Sequence, residues 1–451
     1  MEKKRGAFSN KLGFVLAAAG SAVGLGNLWR FPYLAAKYGG GIFILIYLIL
    51  AVTLGFTLMI TEIALGRNTR LSAVGAFKKL DKRFGFVGYL ACAVPFIITP
   101  YYCVIGGWVI KYLITFISGN VTAAAGDEYF TGFITEPVQP VVWFAVFVLL
   151  TSLVVIIGVE KGIEKASCIL MPILVILTIG IAVFCITRPG AMEGVKYYLL
   201  PDLNHFSPTT VLAAMGQLFY SMSLAMGIMI TYGSYMKKDV SLEKSVRQIE
   251  IFDTAIAFFA GLMIVPSVFV FSGGNEEALS KGPSLMFITL PKVFDSMKLG
   301  GFIGAVFFIL VLFAALTSAI SLMETNVSIL DDKLKWGRKK TTIIVTVYVL
   351  IVGAIVSLGF GVLDFIQIIG MGLLDFFDFL SNSVLMPIVA ILTCISIGYF
   401  IKPQVIYDEI ETNGPFKMKK FYTVMLKWIA PICLVLILAF AISEAMGWIK
   451  V

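Results

Sequence analysis

Two short stretches of this sequence sit badly in the apolar segments that contain them. One is Gly20-Ser-Ala-Val-Gly24-Leu-Gly26-Asn27 and the other is Ser221-Met-Ser223-Leu-Ala-Met-Gly227. A glycine in a helix interior costs about 1 kcal/mol relative to alanine, so both stretches weaken a helix where it should be continuous. After such a break the new half-helix offers free N–H groups to an anion. Before it, the old half offers free carbonyls to a cation. At membrane depth such groups are tolerated only where protein shields them or they line a wet cavity. A pair of breaks therefore suits a ligand of both signs, such as a zwitterionic amino acid, together with sodium. Small-x-x-x-small spacing also serves close helix packing, and either stretch alone leaves that reading open.

Other chemistry is sparse. His205 is the one histidine, which excludes a multi-histidine metal site. The six cysteines (Cys92, Cys103, Cys168, Cys185, Cys394 and Cys433) lie in apolar segments without a C-x-x-C pair. They read as small buried hydrophobes rather than a disulfide frame or zinc site. No phosphate-binding loop or catalytic constellation is present, and no enzymatic activity is expected.

Composition explains where these residues must sit. Of 451 residues 59% are hydrophobic and 14% charged, with mean hydropathy +0.95. Soluble domains are nearer 45–50% apolar and about 25% charged, so a soluble enzyme, a nucleic-acid binder and a disordered scaffold are excluded. An all-α polytopic membrane protein is expected. About 20 apolar residues cross a bilayer, and eleven segments qualify: 12–36, 41–66, 84–117, 140–158, 165–186, 208–236, 248–272, 300–331, 341–359, 375–400 and 421–447. The N-terminal MEKKR stretch does not read as a signal peptide. Most of the 35 Lys and Arg residues fall in the N-terminus and in loops 67–83, 159–164, 237–247, 332–340 and 401–420. Loop 118–139, on the opposite side, has none and carries Asp127, Glu128 and Glu136. This bias predicts a cytoplasmic N-terminus and an extracellular C-terminus in the cell inner (plasma) membrane.

The two weak stretches lie in segments 1 and 6, the first members of two successive sets of five. Breaks at matching places in two halves point to a secondary transporter built as an inverted repeat. The expected organisation is one transmembrane domain over 1–451. Residues 12–186 form a first repeat, 208–400 a second, and 421–447 an extra helix, with segments 1 and 6 unwound mid-membrane.

The residues KLGFVLAAAGSAVGLGNLWRFPY, followed by GGGIFILIYL and TEIALGR, strongly resemble the neurotransmitter:sodium symporter family. GQLFYSMSLAMGIMITYGSY and FAALTSAISLME match its sixth and eighth spans. The resemblance covers about residues 5–400. It implies the leucine-transporter-like 5+5 fold of the bacterial eleven-span subgroup.

Carried over residue by residue, the resemblance implies two sodium ions. The first site comprises the Ala22 carbonyl, Asn27, Ser221 and Asp253, completed by the substrate carboxylate. The second comprises the carbonyls of Gly20, Val23 and Ala314 with the hydroxyls of Thr317 and Ser318. The substrate carboxylate is expected at the Leu25 and Gly26 amides and the Tyr102 hydroxyl, with Gly24 and Gly26 allowing close approach. The amine is expected near the carbonyls of Ala22, Tyr220 and Ser223. Ile98, Tyr220, Ser221, Ser223, Met226, Ser318, Ala319 and Leu322 complete the pocket. Met226 is flexible enough to make room for a ring, which favours bulky hydrophobic substrates, aromatic ones included. Small neutral amino acids, or tryptophan and tyrosine alone, are the alternatives.

Ionisable residues inside a membrane are functional candidates by default. Arg30 is expected to pair with Asp378 as the outer gate, helped by Gln217 and lidded by Tyr220. Arg5 is expected to pair with Asp332 as the inner gate, with Glu62 in the inner network. The position that holds a chloride-ligating serine in many animal members is Ala257 here. Tyr47, Gln217 and Ser221 remain, and Asp253 one turn earlier can supply the charge that chloride would bring. Sodium-coupled, chloride-independent amino-acid symport follows. The bilayer and the amino acid are the partners expected, with no nucleic acid and no obligatory protein partner. A channel should carry a filter motif or acidic ring, and neither is found. A transport-inactive sensor has no need of both sodium sites and the inner gate. A proton- or exchange-coupled carrier of the same fold should lack the Thr317–Ser318 pair.

Overall fold

The computed structural model describes residues 6–272 and 284–446. Within them the chain is built of helices, and no β-sheet forms. Nine helices are long and apolar enough to cross a membrane: Gly41–Thr69, Lys82–Ile117, Gln139–Ile157, Val159–Ile186, Leu242–Phe271, Gly300–Leu334, Arg338–Leu358, Leu373–Ile401 and Lys419–Ala445. They are segments 2 to 5 and 7 to 11. Segment 1 is a bent pair, Lys11–Ala22 and Gly26–Lys37, turned through 52°. Segment 6 is Pro208–Ser221 and Ile228–Tyr235, separated by the irregular stretch Met222–Gly227. The described helices of crossing length thus number nine, or ten with the bent pair.

Two boundaries differ from expectation, each for a local reason. Residues 159–164, read as a loop, form a π-helical turn continuous with segment 5. The chain reverses at Gly158, whose φ of 118° is open to glycine. It then packs so closely that a Cβ on Gly162 would lie 2.2 Å from the Val154 carbonyl oxygen. Segment 7 starts at Leu242 rather than 248, its first two turns carrying the charged residues Glu243, Lys244 and Arg247. Pro95 and Pro100 lie inside segment 3 without ending it.

Apolar composition alone does not say which helices are central; burial does. In segment 3, 78% of the most apolar window is buried, against 28% in segment 11. Segments 3 and 8 pack against each other in the interior, while Leu149, Leu153, Ile176 and Leu436 of segments 4, 5 and 11 face outward. Segment 1's first half lies among segments 5, 7 and 8.

Segment 6's second half lies along segment 2 at backbone contact. A Cβ on Gly66 would fall 1.8 Å from the Ile230 carbonyl oxygen, and one on Gly233 2.3 Å from that of Ile63. Small residues permit this approach between membrane helices. Gly66→Ala should therefore destabilise the protein by about 1–3 kcal/mol through overpacking, lowering its melting temperature in detergent. Gly132→Ala, with no atom within 4 Å of the new Cβ, should leave it unchanged.

Candidate functional site

Segment 1 loses its helix at Val23 and Gly24, and buried side chains take up the freed backbone groups. The Gly24 amide donates to Asn27 Oδ1 at 3.1 Å, and the Leu25 amide to the Tyr102 hydroxyl at 3.3 Å. The Gly26 carbonyl accepts from Gln217 Nε2 at 3.0 Å. The Ser318 hydroxyl lies 3.3, 3.1 and 3.3 Å from the carbonyl oxygens of Gly20, Ser21 and Val23. In segment 6, Ser223, Ala225 and Gly227 have φ of 52°, 59° and 70°. The left-handed region costs a residue with a Cβ about 1–2 kcal/mol. Two contacts offset this: Ser223 Oγ donates to the Ser21 carbonyl at 2.9 Å, and the Ala225 amide donates to Glu62 Oε1 at 2.7 Å.

Between the breaks lies a cavity of about 30 Å³. It is lined by Ala22, Gly24, Leu25 and Gly26 of segment 1, and by Tyr220, Ser221, Ser223 and Met226 of segment 6. Ile98, Tyr102, Ser318 and Leu322 close it from segments 3 and 8. Of the expected pocket residues only Ala319 does not line it; that residue is buried in the core instead. Ser21 and Ile228 line it as well, although nothing in their types marked them. The glycines are sterically required. A Cβ on Gly24 would lie 2.5 Å from Ser318 Oγ and 2.9 Å from the Tyr102 hydroxyl, and one on Gly26 2.6 Å from the Tyr220 ring.

Two clusters of hard oxygen atoms flank the cavity. In the first, fully buried Asp253 accepts from Asn27 Nδ2 at 2.7 Å and from Tyr47 at 3.0 Å. Ser221 Oγ lies 2.8 and 3.0 Å from its two carboxylate oxygens. Asn27, Ser221 and Asp253, expected together from three segments, meet here. Ala22 lines the cavity beside Ser221, and Ala257 is buried one turn beyond Asp253. In the second cluster, Ser318 faces the Gly20 and Val23 carbonyls, while Thr317 Oγ1 bonds back to Ala314 O at 3.1 Å. Carbonyl, hydroxyl and carboxylate oxygens are the donors that suit hard cations. This donor set has the chemistry of an alkali-cation site.

The gate residues are arranged differently from the expected pairs. Arg30 lies over the Tyr220 ring, 4.9 Å from its centroid. Asp378 accepts instead from Tyr101 at 3.1 Å and Asn382 Nδ2 at 2.6 Å. Arg30 and Asp378 form no ion pair among the described residues. Gln217 is buried and serves the Gly26 carbonyl. Asp332 accepts from the Ser72 amide at 2.8 Å; Arg5 lies outside the described residues. Glu62, read as part of an inner network, holds the segment 6 break. Tyr101 and Asn382 escaped the sequence reading, although Asn382 follows Asp378 by one helical turn, the spacing at which side chains meet.

The model of the Sodium:neurotransmitter symporter family matches residues 5–140 and 131–448. The chain belongs to this family. An uncharacterised sodium-dependent transporter of Bacillus subtilis (strain 168), YhdH, is 36% identical over 443 residues, covering 97% of each chain. One from Haemophilus influenzae is 33% identical over 451 residues, covering 96% of this chain and 98% of its own. Among solved structures, that of MhsT in complex with L-phenylalanine is 39% identical with a TM-score of 0.88. It is covered completely by 97% of this chain. The protein is thus a multi-pass, sodium-dependent symporter of leucine-transporter-like fold, not an enzyme.

In this symporter Gly24→Ala should abolish binding of the transported substrate, since the methyl group would occupy the space between Ser318 and Tyr102. Monodispersity in detergent should be retained. Scintillation-proximity binding beside size-exclusion chromatography checks both.

Proposed function

We propose that this symporter imports bulky hydrophobic L-amino acids, aromatic ones included, with two sodium ions and without chloride. The observation that carries the reading is the cavity between the two helix breaks, with an oxygen cluster on either side. Asn27, Ser221 and Asp253, with the Ala22 carbonyl, take the first ion beside the substrate carboxylate. Gly20, Val23, Ala314, Thr317 and Ser318 take the second. The Leu25 and Gly26 amides and Tyr102 hold the carboxylate, and Tyr220 and Met226 border the side chain with Ile98 and Leu322. That MhsT is described in complex with L-phenylalanine supports a ring in this pocket.

Transport follows an alternating-access cycle. Segments 1 and 6 each count as one crossing, making eleven, arranged as repeats 12–186 and 208–400 with 421–447 added. The N-terminus is cytoplasmic and the C-terminus extracellular in the plasma membrane. Ions and substrate enter from outside and order the break in segment 1. Arg30 leaves its stacked position to meet Asp378 as the outer gate closes with Tyr220. Segment 1's first half then swings away as the Arg5–Asp332 contact parts. One charge crossing 100 mV is worth about 2.3 kcal/mol, and a tenfold sodium ratio adds about 1.4 kcal/mol per ion. Two ions therefore drive accumulation over several decades.

Labelled phenylalanine should accumulate in proteoliposomes only under an inward sodium gradient. Excess tryptophan, tyrosine or leucine should compete and glycine should not; a preference for glycine contradicts the assignment. Replacing chloride by gluconate should leave uptake unchanged. Asp253→Asn should weaken sodium coupling or make uptake anion-dependent, because the carboxamide brings no charge to the first site.

A further inference from the structure

We infer that Glu164, on the π-helical turn that starts segment 5, is a second inner latch that holds the first half of segment 1 closed. Its carboxylate accepts from the Ser9 amide at 2.7 Å and from the Ser9 hydroxyl, at the first residues before the helix Lys11–Ala22. It is 5% exposed. It also fills the space left by Gly13: a Cβ there would lie 1.9 Å from Glu164 Oε1 and 2.6 Å from its Cγ. A charged acceptor strengthens such bonds, and at a helix N-terminus it meets the positive end of the dipole.

The surrounding contacts converge on the same short segment. The Phe8 amide donates to the Tyr235 carbonyl at 3.1 Å, and Lys237 Nζ to the Ser9 carbonyl at 2.5 Å. The Phe8 ring is buried against Phe14, Tyr232 and Tyr235. Residues 8 and 9 are thereby tied to the end of segment 6 on one side and to segment 5 on the other. The polar contacts to segment 5 come from Glu164, beside Val159, whose Cγ2 would lie 3.0 Å from a Cβ on Gly6. Beside it Ser9, Glu160, Lys161, Glu164, Lys165 and Cys168 line a cleft of about 500 Å³. If the helix Lys11–Ala22 swings out, the Glu164–Ser9 bonds must break and the cleft must widen along Cys168. Glu164 is thus a positioning residue. It touches neither substrate nor ion and acts by setting how easily the inner side opens.

The inference rests on the alternating-access reading above, and native Cys168 provides a readout separate from uptake. Purified full-length protein is reacted with a hydrophilic maleimide, and modification of Cys168 is followed by peptide mass spectrometry in sodium and in potassium. Glu164→Ala should raise the Cys168 rate roughly tenfold in sodium, as expected when a charge-assisted bond present in only one state is lost. Gly13→Ala, whose methyl group displaces the carboxylate, should do the same. In a Glu164→Ala background, Gly13→Ala should add nothing, because the gap is then free. Glu164→Asp should restore part of the slow rate.

An unchanged Cys168 rate in both single variants overturns the latch. Additive effects of Gly13→Ala and Glu164→Ala do so too, since they would mark general loosening of the fold. The latch is read from the ratio of variant to parent in one buffer, and sodium coupling from the ratio of sodium to potassium in the parent. A parent protein insensitive to sodium would therefore count against the transport cycle while leaving the latch decided.

Discussion

Between Ala22 and Gly26 segment 1 gives up its helical hydrogen bonds inside an otherwise apolar helix, and the rest of the site follows from how those bonds are replaced. Hydrocarbon supplies no partner for a free amide or carbonyl. Each group must find one in a neighbouring helix or present itself to a ligand. Asn27, Tyr102, Gln217 and Ser318 take that role here, drawing segments 3, 6 and 8 around the break. The same need explains the buried polar side chains around the break. Asn27, Gln217 and Asp253 have no exposure at all, and each would be costly anywhere else in a membrane helix.

On the proposed assignment, this arrangement would link ion and substrate through shared side chains. Ser318 lies within 3.3 Å of the Gly20 and Val23 carbonyls proposed for the second ion, and it also lines the cavity. Ser221 contacts Asp253 and lines the same cavity. Side chains shared between neighbouring sites make binding at one depend on binding at the other, which is the form that coupling free energy takes. The left-handed turn at Ser223 and Ala225, held by Ser21 and Glu62, keeps the helix of segment 6 from continuing through Met222–Gly227.

Most of the described helices were legible in the sequence because hydrophobic length reports directly on segments able to cross a membrane. Segment limits agreed within a few residues, except where Gly158 redirects the chain and where the first turn of segment 7 is charged. The site was legible for a different reason. Glycines at 24 and 26 and the oxygen-bearing residues of segments 1, 6, 7 and 8 form motifs whose spacing survives as geometry. What the sequence did not reveal depends on rotamers and on contacts between distant segments. Arg30 stacking on Tyr220, Asp378 turning to Tyr101 and Asn382, and Glu62 reaching Ala225 are choices among several partners within reach. No periodicity distinguishes them. Ala319 missed the cavity for a similar reason, since a shift of one residue on segment 8 rotates a side chain by about 100° on a helix of 3.6 residues per turn.

The central claim is that the backbone poles of two broken helices hold a zwitterion only with alkali cations beside them. Equilibrium binding of labelled L-phenylalanine to the purified protein, with sodium replaced by potassium at constant ionic strength, tests it most directly. The account predicts binding at least about tenfold tighter in sodium, a difference of about 1.4 kcal/mol. Equal affinity in the two salts would contradict it.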